Sequence, residues 1–166
     1  MNRFAMCAFT VAFLAIAISV FGQGSPNSKL CVGAMQGAGN TSPTTSRDEL
    51  IKYLEKQKNL KGTTQALNAS TADDAVSEAK QKGCGYVLTT ALTEDHVESA
   101  YGPGVLMSTS IPTFFVTVGY KLVKVSDESE LSSGSAKAQD TGSQQHAVEF
   151  SMNKIAGKVG GALKGK

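Results

Sequence analysis

Residues Thr113–Val125, TFFVTVGYKLVKV, with the turn Ser126–Ser129 and the return segment Glu130–Ala138, ELSSGSAKA, constrain the fold more than any other stretch. β-Branched and aromatic side chains suit a pleated, packed surface, and a short polar turn between two such runs reads as a hairpin. Phe114, Val116, Val118, Tyr120 and Leu122 fall on one face of the long strand, and Phe115, Val123 and Val125 on the other. A strand that is apolar on both sides belongs inside a sheet, with layers expected over both faces.

The rest of the chain supplies those layers. Lys29–Met35, KLCVGAM, reads as a first strand, and 36–45, QGAGNTSPTT, as a loop. Ser46 and Glu49 have capping-box spacing ahead of Leu50, Ile51 and Leu54, which predicts a helix ending near Asn59. Thr63–Leu67 is a short second strand. Thr71 and Asp74 resemble a cap, and Ala72, Ala75, Val76 and Ala79 form a small-residue face that ends at Gly83. Gly85–Leu92 is a third strand, so two crossovers generate a parallel three-stranded sheet. Residues 93–112 break the alternation and read as an extended loop or irregular hairpin, which brings the fourth strand back antiparallel to the third. From Ser143 to Leu163, Val148, Met152, Ile155, Val159 and Leu163 recur at helical spacing and predict a last helix over one sheet face. The fold class is mixed α/β.

Composition limits the function. The 166 residues are 41% hydrophobic and 18% charged, with 16 basic and 14 acidic side chains and a net charge of +2. These charges are interspersed, so a nucleic acid is not an expected partner. Residues 1–24 differ from the rest. Arg3 precedes a long apolar run and then the small and polar Gly22, Gln23 and Gly24, which is the layout of a secretory signal peptide. A retained anchor is the alternative, since ~20 apolar residues span a bilayer. Removal of 1–24, Cys7 included, leaves a single domain over 25–166 with no membrane span. It also leaves Cys31 and Cys84 in a compartment where disulfides persist. Two readings stand for this pair: a bond closing a long loop, or two small buried thiols. Cys31, Cys84, His96 and His146 lack the paired spacing of a zinc site.

The order of parts resembles a group of small bacterial envelope domains. They are the domain of the curli-secretion lipoprotein, the amino-terminal domain of the Tol translocation protein, and the activators of penicillin-binding proteins. The residues that carry the resemblance are AVSEAKQKGCGYVLTTALTE, in which an alanine-rich helix leads into a Gly-x-Gly-Tyr-Val-Leu strand, then VGYKLVKVSDESELSSGSAKA, and finally AVEFSMNKIAGKVGGAL. It implies a three-layer α/β/α fold with a five-stranded mixed sheet, order 2-1-3-4-5 with strand 4 antiparallel, and a non-catalytic role among envelope proteins. The chain departs from the group in having no lipid-anchor cysteine at the signal boundary. Its 93–112 segment also lacks the length and apolar alternation of a membrane hairpin.

Catalytic constellations are weak. Gly33, Gly37 and Gly39 lie where a nucleotide fold places its phosphate loop, but the third glycine is misplaced, no Gly-Lys-Ser/Thr follows, and Asn68 stands where an acid would follow strand two. Asp95, His96 and Ser99 offer an acid, a base and a nucleophile with no constrained nucleophile turn. Glu94, Asp95 and Glu98 are acidic without the ordered oxygens that calcium needs. If the chain is bacterial, as the resemblance implies, the sequons at Asn40 and Asn68 are chance matches. Tyr101, Val105, Leu106, Met107 and Ile111 either fold back as core or present a patch to a partner. The sequence therefore predicts an envelope interaction module with no cofactor and no enzymatic activity. The alternative is a small hydrolase or nucleotide-binding enzyme using the 36–45 glycine loop or His96.

Overall fold

A computed structural model describes residues 29–37, 39–100 and 110–164. The elements run β1 (Leu30–Val32), α1 (Pro43–Glu55), β2 (Thr64–Ala66), α2 (Ala72–Gln81), β3 (Tyr86–Ala100), β4 (Ile111–Lys124), β5 (Glu130–Asp140) and α3 (Gln144–Ala162). They form one five-stranded sheet of order β2-β1-β3-β4-β5. β1 runs parallel to β2 and β3, whereas β4 is antiparallel to both β3 and β5. This is the expected mixed sheet.

The side-chain period of two divides the core. Val116, Val118, Tyr120 and Leu122 join Leu30, Val32 and Leu88 beneath Leu50 and Leu54 of α1 and Met152, Ile155 and Val159 of α3. On the other face Val123 and Val125 join Cys31, Leu67 and Val87 beneath Ala75 and Ala79 of α2. The alanines let α2 sit close to the sheet. Thr71 caps α2 by accepting the Asp74 N–H, and Gly83, at φ +65°, lets the chain turn away after it.

Three expectations are corrected. The N-cap of α1 is Ser42, whose Oγ accepts the Thr45 N–H with Pro43 following it in the first turn. Ser46 is buried within the helix and Glu49 pairs with Lys52, so the capping box does not form. Pro43 decides this, because its fixed φ and missing N–H suit a helix start. Residues 36–45 are thus a loop only as far as Ser42, and α1 ends at Glu55, short of Asn59. β3 does not stop at Leu92. It continues to Ala100 across a register shift between Leu92 and Glu94, and β4 starts at Ile111, so the described part of 93–112 is nearly all strand. Finally, α2 covers its face only near β1, β2 and the adjoining ends of β3 and β4. Farther along that face Phe115 is half-buried, and Ser133, Ser135 and Lys137 of β5 are exposed.

Candidate functional site

The antiparallel pairing of β3 with β4 runs from Tyr86↔Lys124 to Ala100↔Ile111, while β5 ends opposite Phe114 and β1 ends opposite Leu88. A parallel bridge, Gln36↔Ala91, is the last ladder pairing on the β1 side among the described residues. Beyond it, Thr93–Ala100 and Ile111–Thr113 form an arm that projects past the sheet. Ladder bonds hold it together, and strand alternation points its residues to two sides.

On one side stand Glu94, His96 and Glu98. Thr117 Oγ1 donates to Glu94 Oε2 at 2.9 Å, the His96 ring stacks on Phe115 at 5.0 Å, and His96 Nε2 lies 3.4 Å from Glu98 Oε1. On the other side stand Asp95, Val97 and Ser99, where Gln144 Nε2, at the start of α3, donates to Asp95 Oδ2 at 2.6 Å. Asp95 and Ser99 are therefore separated from His96 by the strand itself. An acid–base–nucleophile relay does not assemble. Among the described residues no three His, Cys, Asp or Glu side chains gather closely enough to hold a metal ion.

The glycine loop packs against the base of the arm. A Cβ on Gly37, at φ +62°, would lie 3.1 Å from the Leu92 carbonyl, and one on Gly39, at φ +53°, 3.3 Å from Asp95 Oδ2. Both glycines serve this close approach. The α1 amino terminus offers little to a phosphate, since Pro43 has no N–H, Ser42 Oγ takes the Thr45 N–H, and Ser42 carbonyl takes that of Ser46. Asn40, Asp95, Val97, Phe114 and Gln144 line an open pocket of about 210 Å³ at the arm's base, together with His96 and Phe115. Gly37 takes no part in it.

Of the residues singled out by sequence, Tyr101, Val105, Leu106 and Met107 lie outside the described residues. Ile111 is 59% exposed, which removes it from the core. Val97, 55% exposed, was not singled out, although it follows His96 in an otherwise polar run. His96 lies on a strand rather than in a loop. Cys31 and Cys84 are joined as a disulfide beneath α2, with their Cα atoms 6.0 Å apart. His146 sits in the first turn of α3, 3.6 Å from Asp140 through Nδ1. Asp140 also accepts the Gly142 and Ser143 N–H groups, which hold its carboxyl below the usual range.

With this geometry in place, no family model matches the chain, and neither does any curated protein. Solved structures do. It is similar to the PelC dodecamer from Paraburkholderia phytofirmans, with TM-score 0.57 and 17% identity over 78% of this chain and 85% of that one. It is also similar to hypothetical protein CT253 from Chlamydia trachomatis, with TM-score 0.54 and 10% identity over 81% and 97% of the two chains. A candidate lipoprotein from Caulobacter crescentus CB15 gives TM-score 0.50 and 15% identity over 86% and 96%. The likeness is one of fold. It agrees with the small envelope α/β domains that the sequence resembles.

Proposed function

We infer that residues 1–24 direct export and that 25–166 act as a non-catalytic interaction module of the bacterial cell envelope, with the β3–β4 arm as the contact element. The observation that carries this reading is the arm itself. Its strands continue past their neighbours, have no further strand partner along either edge among the described residues, and expose Val97 and Ile111 where nothing in the described chain covers them. The separation of Asp95 from His96 and the occupied α1 amino terminus give no support to hydrolysis or nucleotide binding. No helix among the described residues is long and apolar enough to cross a membrane, and the likeness to the candidate lipoprotein fits the same compartment.

Photo-cross-linking in intact cells tests the reading. A cross-linking side chain at position 97 or 111 captures a discrete protein species, and the same group at the exposed Lys58, beyond the far end of α1, does not. Equal capture from both places, or none from the arm, overturns it. The mass of the exported protein, before and after reduction, checks removal of 1–24 and the Cys31–Cys84 bond together.

A further inference from the structure

The described surface exposes three large apolar side chains, Val97 and Ile111 on the arm and Phe150 on α3, the last 53% exposed. Phe150 stands one turn before Lys154 and two before Lys158, on the flank of α3 that overhangs β5. Lys154 Nζ donates to the Lys137 carbonyl at 2.5 Å and Lys158 Nζ to the Ser135 carbonyl at 2.7 Å. Those two carbonyls therefore point outward from the edge strand, and lysines guard them. Neither Lys137, Lys154 nor Lys158 has a carboxylate partner among the described residues. The arm has the opposite character. From Gly83 to Tyr120 the chain contains no Lys or Arg, and its only charged groups besides His96 are Glu94, Asp95 and Glu98.

We propose that the arm's partner is a second copy of this chain: the arm of one copy lies along the α3–β5 flank of the next, with Ile111 against Phe150 and with Glu94 and Glu98, which share Ile111's side of the arm, against Lys154 and Lys158. This rests on the arm being a contact element, as inferred above. One molecule carries both complementary surfaces at different places, so two copies can pair reciprocally about a two-fold axis or join head-to-tail into a ring or an open filament. The outward groups of β5 are available to the arm's open strand edge once the lysines turn to its carboxylates. Charge complementarity sets the register of such a contact and makes it salt-sensitive.

The test is a charge exchange read by sedimentation velocity on the purified protein. The wild type self-associates at low salt and dissociates as salt rises. E94K/E98K and K154E/K158E each lose assembly, by ~10-fold or more in affinity, since each places like charges in contact. Mixing the two variants restores it, because each then offers the surface that the other requires. Circular dichroism establishes that both variants are folded. F150S weakens assembly without altering its salt dependence. A wild type that stays monomeric, or a mixture of folded variants that fails to reassemble, overturns the proposal. A monomer whose arm still captures a different protein loses only this inference, whereas a monomer whose arm captures nothing also loses the broader reading.

Discussion

Ser42 and Ser46 separate two accounts of the same helix. The spacing of Ser46 and Glu49 satisfies a capping rule, yet Ser42 makes the cap, and Ser46 Oγ is buried without a hydrogen-bond partner among the described residues. A side chain that accepts a terminal N–H is worth about 1 kcal/mol, whereas a buried, unsatisfied hydroxyl contributes nothing favourable. Ser42→Ala is expected to lower stability by about 1 kcal/mol, and Ser46→Ala to leave it unchanged or raise it. Urea unfolding of the two variants checks the order, and the reverse order would restore the capping box. The Ser-Pro pair at 42–43 also fits a helix start, but the sequence alone did not choose between it and the Ser46–Glu49 spacing. Burial of Ser46 was not legible, since it depends on what packs over the start of α1.

Between elements, Glu78 ties α2 to the segment that feeds it. Its carboxylate accepts from Lys82 one turn on, and also from the Asn68 and Ala69 N–H groups, each at 2.9 Å. The Lys82 hydrogen bond and these two backbone donors lower its pKa, against the opposing effect of desolvation. A carboxyl with a depressed folded-state pKa stabilises the fold above the unfolded value, near pH 4, and that stability is lost as pH falls through the folded value. Glu78→Gln is therefore expected to destabilise at pH 7 and to narrow its gap from wild type toward pH 3. Urea midpoints at both pH values measure this, and a gap that does not shrink refutes the link. The arm belongs to the same scale. Residues 93–112 lack a long apolar run and so read as an extended loop or irregular hairpin, but strand formation over 93–100 and 111–112 comes from ladder bonding to an already ordered neighbour, which local composition does not report.

At the scale of the whole molecule, the Cys31–Cys84 bond joins β1 to the end of the α2 crossover and closes a loop of sequence separation 53. On the chain-entropy account such a loop stabilises by about 4 kcal/mol, a large share of the 5–15 kcal/mol typical of a domain. Denaturant unfolding of the exported protein with and without reductant is expected to differ by that order, and coincident curves would mean that the bond is absent. The sequence by itself determined the mixed α/β class, the strand and helix order, the two-faced β4 and the apolar stripe of α3, because each follows from a periodicity of two or 3.6 within one segment. Only the tertiary structure decided that Asp95 and His96 part across a strand, that Ser42 rather than Ser46 caps α1, and that the arm outruns its neighbours. It also decided that Phe150 and its lysines line an open edge. Those outcomes depend on register and on which elements end first, and both are set by contacts between residues far apart in the chain.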